Sequence, residues 1–227
     1  MSAPVEFTDV STWSHNRVFE GLRGRLKGPG GYYNAGNAVG LAVGLLLQVR
    51  GAGGDNRGLA QSVEAYFIGD WAAVALTVAT IIFFWSGEEY HQAWANGFPP
   101  DARKTRRGDR LSGVGATLLG VGLLMIGDPL LAATSGLLHA AGKFGSALNL
   151  RAIHVNERWT PVFHDMFRWA VVASRLPAIL IGLIGLGVSL TASSGIDADS
   201  LLMPATLLAC YALWTCADLM LLRPSRG

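Results

Sequence analysis

Two short patterns in this 227-residue chain carry residue types that could do chemistry. In Gly136-x-x-His139-x-x-Gly142 an imidazole lies between two glycines. Imidazole is the usual axial ligand of haem iron, and small flanking residues leave room for a macrocycle. A six-coordinate haem needs a second ligand at matching depth. His15, His91, His154 and His164 all fall on or near the expected cytosolic side, and Met125 and Met203 fall toward the other. The favoured reading of His139 is therefore a neutral mid-membrane imidazole hydrogen-bonded to a neighbouring helix, with haem b as the alternative.

The second pattern is Glu88-x-x-His91, whose i, i+3 spacing sets both side chains on one helical face, a spacing used by di-iron carboxylate sites. His154 and His164 are expected on the same side of the membrane, so the donor types for Zn or Fe exist. Di-iron sites use two copies of the motif and further carboxylates, and this chain has one copy. The expectation is no cofactor, with a metal at Glu88, His91, His154 and His164 as the alternative. No GxSxG, GxxxxGK[ST] or HExxH occurs, so no catalytic constellation is expected. Cys210 and Cys216, at i and i+6 in one apolar run, lie too far apart along a helix to form a disulfide.

The elements that must position these groups are membrane helices. Half the residues are apolar and only 15% are charged, which describes a lipid-embedded chain better than a water-soluble one. The formal charge of +2 is too small to imply a nucleic-acid partner. Apolar runs of membrane length cover residues 32–49, 66–85, 111–127, 176–192 and 201–222. A sixth, 130–148, is more polar and contains His139 and Lys143.

Counting cations decides whether the sixth run crosses. With six spans, fourteen of the eighteen Lys and Arg are cytosolic, among them Arg103, Lys104, Arg106, Arg107, Arg110 and Arg168, while the last outer loop holds Asp197 and Asp199. With five, the loop carrying Arg151, Arg158 and Arg168 moves outside. The expected fold is thus an all-α integral membrane protein with six transmembrane helices arranged as three consecutive hairpins. Residues 1–31 form a cytosolic segment without a signal peptide, 32–222 a single membrane domain, and 223–227 a cytosolic tail.

Asp128-Pro129 reads as a tight turn joining the third and fourth helices, since proline is tolerated at the first position of a helix. Gly136, Ala140, Gly142, Gly145 and Ser146 should turn the fourth helix toward protein. Arg175 reads as the cytosolic start of the fifth span, with residues 161–174 as an interfacial amphipathic segment; the alternative is one long helix kinked at Pro177. Asp218 and Lys143 lie close enough to helix ends to reach water. The polybasic stretch 96–110 reads as a linker on anionic headgroups.

Glycines at regular spacing supply packing faces: Gly36, Gly40 and Gly44 at i+4, and Gly120 with Gly122, echoed by Gly185 with Gly187 in a gapless match between the runs starting at Arg110 and Arg175. With no mid-membrane charge network expected, the favoured function is a non-catalytic accessory, assembly or scaffold subunit of the cell inner membrane. Its partners would be the lipid bilayer and other membrane subunits or a second copy. The alternatives are a small transporter or channel, and a metal- or haem-binding redox subunit.

Overall fold

The computed structural model describes residues 28–54, 71–97, 100–156, 161–191 and 198–222, with side chains over 28–43, 71–97, 100–149, 166–191 and 201–222. Among these residues all regular structure is helical: α1 (Gly28–Gly54), α2 (Trp71–Ala93), α3 (Ala102–Met125), α4 (Pro129–Leu131), a π-helical segment (Ala132–Leu138), α5 (His139–Asn156), α6 (Pro161–Ala173), α7 (Leu176–Thr191) and α8 (Ala198–Leu221). Each long helix packs on the next along the chain: α1 on α2, α2 on α3, α3 on the π segment and α5, and α5 on α6. Helix α8 packs on α6, α7 and α1, so the helices close into a ring.

Among the described residues three stretches are long and apolar enough to cross a membrane: Trp71–Ala93, Met166–Thr191 and Leu201–Leu221. The sequence leads to an expectation of six spans. The difference has a physical cause in two of the remaining helices: α3 opens with Arg103, Lys104, Arg106, Arg107, Asp109 and Arg110, and α5 carries Lys143. Residues 66–70 of the second expected span lie outside the described residues, as do both terminal segments.

Residues 102–110 are not a linker. Asp101 caps α3, its Oδ1 accepting from the backbone N–H of Arg103 at 2.8 Å and of Lys104 at 3.1 Å, so the helix starts two turns before its apolar run. It ends at a Schellman motif. Gly127, at φ 86°, lets its own N–H reach Leu124 O at 3.1 Å and that of Asp128 reach Leu123 O at 2.9 Å. Asp128 then caps the next helix through Leu131 N–H at 3.0 Å, with Pro129 in the first turn.

Residues 161–173 are helical and do not float at the surface with their cations in water. Arg168 and Val171 are fully buried while Met166 and Trp169 are each 55% exposed, so the polar side of this helix faces inward. Pro177 has no N–H to offer Ala173 O, and the helix breaks into a turn at Ser174 and Arg175 before resuming. The kinked-helix alternative is therefore the closer description.

The packing is inverted relative to a water-soluble bundle. Large apolar side chains such as Ile81, Leu124, Leu137, Leu148, Ile184 and Val188 point outward, and the interior is built from Ala, Gly, Ser, Tyr and charged residues. In water such an exterior would forfeit the free energy of burying those side chains, roughly 25 cal/mol per Å2; in hydrocarbon that loss disappears. Gly136, Ala140, Gly142, Gly145 and Ser146 are all buried, so this side of the fourth expected helix faces protein.

Candidate functional site

Inside the ring is an ion network built by residues of α1, α2, α3, α5, α6 and α8 and of the turn before α7. From α5 comes Lys143, fully buried, whose three ammonium protons have three acceptors: Tyr33 Oη at 2.8 Å, Tyr90 Oη at 3.2 Å and Asp218 Oδ1 at 2.8 Å. The two tyrosine rings, from α1 and α2, stack at 4.9 Å between centroids, and the ammonium lies 4.9 and 5.1 Å from them. Tyr33 donates its hydroxyl proton to Asp218 of α8, and Tyr90 donates to Asp109 of α3.

Two arginines complete the network. Arg168 of α6 places Nη2 2.6 Å from Asp109 Oδ2, which also accepts from Ser146 Oγ at 2.9 Å. Arg175, in the turn between α6 and α7, places Nη2 2.5 Å from Asp218 Oδ2. The five charged side chains are two carboxylates and three cations, so the ionised network carries one positive charge in excess. Isolated charges at this depth would be expensive to bury, and mutual pairing with hydrogen-bonded tyrosines makes the arrangement tolerable.

Four expectations fail here. Lys143 does not snorkel and Asp218 does not reach water; both side chains have no exposed surface. Arg168 is not a cytosolic loop cation, and Arg175 is not at an aqueous entrance but 4% exposed inside the bundle. A network of buried charges thus exists where none was expected. Asp109 and Lys143 lie on stripes of buried polar or small side chains at helical spacing: Thr105, Asp109, Ser112 and Ala116 on α3, and His139, Lys143 and Ser146 on α5. That spacing is readable in the sequence for Asp109 and Lys143, while the partners they meet are not.

His139 follows the π segment directly, and wide helical turns of this kind are frequent at functional sites. Its Nδ1 lies 3.2 Å from Ser174 Oγ, and Ser174 gives its one hydroxyl proton to Val171 O at 2.6 Å. The imidazole therefore carries a proton on Nδ1 and donates to Ser174. The flanking glycines leave no face for a macrocycle. A Cβ at Gly136 would lie 2.4 Å from Gly120 Cα, and one at Gly142 would lie 2.7 Å from Val171 Cγ2 and 2.9 Å from Phe167 O.

Beside the network is a cavity lined by Ser112, Ser135, His139, Arg175 and Tyr211, among others. It offers about 40 Å3 to the centres of water molecules, and one water needs roughly 10–15 Å3. Tyr211 donates to Ser135 Oγ across it at 2.8 Å. Both interruptions of regular helix, the π segment through Ser135 and the Ser174–Arg175 turn through Arg175, supply its wall.

Of the residues expected to hold a metal, Glu88 is not part of this centre. Glu88 is exposed and accepts from Gln92 Nε2 at 3.1 Å, within its own helix. Its neighbour Glu89 is the buried one, paired with Arg107 Nε at 3.1 Å. The side chains of His154 and His164 lie outside those described, and among the described residues no group of three or more His, Cys, Asp or Glu is placed to hold a metal.

The glycines divide. A Cβ at Gly36 would lie 2.4 Å from Trp214 Nε1 and one at Gly40 3.4 Å from Cys210 Sγ, so this face is covered by α8 of the same chain. Gly44 lies beyond the described side chains. Gly120 meets Gly136, Gly122 meets Leu76, and Gly185 meets Pro204. Gly187 has nothing within 4 Å and is not at a close crossing, so the echo between the two runs does not extend to equivalent packing. Comparison with protein-family models, with curated proteins and with solved structures returns no match for this chain.

Proposed function

We propose that this chain is a six-span protein of the cell inner membrane, with both termini cytosolic, that moves a small solute or ion through the polar centre of its helical ring. The observation that carries this reading is the fully buried network of Asp109, Lys143, Arg168, Arg175 and Asp218 beside a polar cavity. Ionisable residues within membrane helices mark transport paths and relays by default, because burying them is costly. Irregular backbone at membrane depth is tolerated where it lines a cavity, and both helix interruptions here do so.

The accessory-subunit reading draws its support from an expected absence of a charge network and from a glycine face that could meet partners. The network exists, and Gly36 and Gly40 are occupied by α8. A haem or metal redox subunit has no support from the filled flanks of His139 or from the separate settings of Glu88 and the network.

Topology is tested by cysteine labelling in a background lacking Cys210 and Cys216. A cysteine replacing Ser194 is expected to react with an impermeant thiol reagent added to intact cells, and one replacing Ser225 is not. Labelling of both defeats the six-span arrangement.

Function is tested in proteoliposomes loaded in turn with proton-, potassium- and chloride-sensitive dyes. Flux above that of empty vesicles is expected for at least one of these ions, with a fall of tenfold or more in Asp109→Asn protein that still elutes as a folded species. Folded protein that passes none of them and copurifies stoichiometrically with a second membrane subunit returns the accessory reading.

A further inference from the structure

The cavity beside the network carries hydrogen-bond donors without acceptors. Arg175 lines it; Nη2 of this guanidinium is ion-paired with Asp218 Oδ2, which accepts no hydrogen bond, while Nη1 is buried with no hydrogen-bond partner. Asn37 lines it too and is 6% exposed. Trp214 Nε1 donates to Asn37 Oδ1 at 3.1 Å, and since an indole N–H can only donate, that oxygen is fixed and the amide NH2 is left as the free end. Asn37 Nδ2 has no partner either. Two buried donors on one cavity wall, one of them cationic, lack the acceptor that such groups nearly always have.

The charges point the same way. No carboxylate lines the cavity among the described residues; Arg175 is the one member of the five-residue ion network that reaches its wall. The network as a whole has one positive charge in excess, which one monovalent anion would balance. The space, about 40 Å3 to water centres, admits a small anion such as a halide or formate.

From these features we infer that the cavity is a binding site for one small monovalent anion, held by Arg175 Nη1 and Asn37 Nδ2. This inference rests on the transport reading in taking the cavity as the solute site, and it names the solute class. The guanidinium supplies charge and one directed N–H, and the amide supplies the second N–H. Asp218, ion-paired with the other guanidinium nitrogen at 2.5 Å, keeps Arg175 beside the cavity. The pairing of Trp214 with Asn37 does the same for the amide.

The test is equilibrium binding of radiolabelled chloride, and separately of radiolabelled formate, to the full chain in lipid nanodiscs. One saturable site per chain is expected, with each anion displacing the other and gluconate displacing neither. Asn37→Asp keeps the acceptor for Trp214 and replaces the donor by a negative charge, so affinity should fall at least 100-fold with unchanged elution and melting. Asn37→Leu, which should lose tenfold or more, serves the same purpose if the Asp variant does not fold. Arg175→Lys should also lose tenfold or more, because the ammonium cannot hold Asp218 and the anion at once in the geometry of the fork. Absence of saturable binding by either anion overturns the site, as does binding unaffected by both Asn37 variants. Asp109-dependent cation flux without anion binding overturns the anion site and leaves the transport reading. Stoichiometric anion binding without flux of any ion keeps the site and removes the transport reading.

Discussion

Asp218→Asn is expected to cost about 3–5 kcal/mol of folding stability, the range for breaking a buried ion pair by removing one partner. Asp218 is fully buried and holds Lys143 at 2.8 Å and Arg175 at 2.5 Å, and Tyr33 donates to it as well. Removing its charge raises the net charge of the network by one in a place without water to solvate it. An asparagine NH2 would also point a donor at donors. The check is denaturant unfolding in mixed micelles. Combining Asp218→Asn with Lys143→Met removes one charge of each sign, so the double variant should be destabilised by at least about 1 kcal/mol less than the sum of the two single changes. A single variant within about 0.5 kcal/mol of the parent, or strictly additive behaviour, would show that these groups are not coupled.

The second large effect concerns the crossing of α3 and the π segment. Gly136→Ala should destabilise by about 1–3 kcal/mol, the usual cost of overpacking, because the new Cβ would lie 2.4 Å from Gly120 Cα and 3.0 Å from Gly120 N. Both atoms are backbone, so no side chain can swing away and α3 itself must shift. At Gly120 a Cβ would lie 3.1 Å from Gly136 Cα and 3.2 Å from Ala132 O, and Gly120→Ala should cost less. At Gly187 there is nothing within 4 Å, and Gly187→Ala should be neutral or stabilise by up to about 1 kcal/mol through the stiffer unfolded chain. Melting temperatures in detergent in the order Gly136→Ala below Gly120→Ala below Gly187→Ala are expected. Equal values for all three would mean that the α3 crossing is loose.

Much of the architecture is legible in the sequence because it follows from short-range rules. Apolar runs with few strand or loop signals give helices. Gly127-Asp128-Pro129 gives a corner because the three residues supply, in turn, a positive φ, a capping oxygen and a missing N–H. The small residues of Gly136 to Ser146 predict a protein-facing helix because close packing selects against large side chains wherever they occur.

The ion network is not legible by the same route. Measured from the end of its own helix, each of Lys143, Arg168, Arg175 and Asp218 is within reach of water. Whether a charged group turns to water or to a partner depends on what packs beside it, and the partners here are remote in sequence: Tyr33 and Asp218 are 185 residues apart, Lys143 and Asp218 75, and Arg168 and Asp109 59. Likewise Gly120 and Gly122 match Gly185 and Gly187 along the chain but not in their neighbours, since only Gly187 faces open space. What the sequence by itself determined is the all-helical class, the corner at Asp128-Pro129 and the protein-facing small residues of Gly136 to Ser146, all governed by contacts within a few turns. The tertiary structure alone decided which charges pair, which glycines meet backbone and that Arg175 and Asn37, each with an unpartnered donor, line one cavity, because those depend on lateral contacts between helices, which no local periodicity encodes.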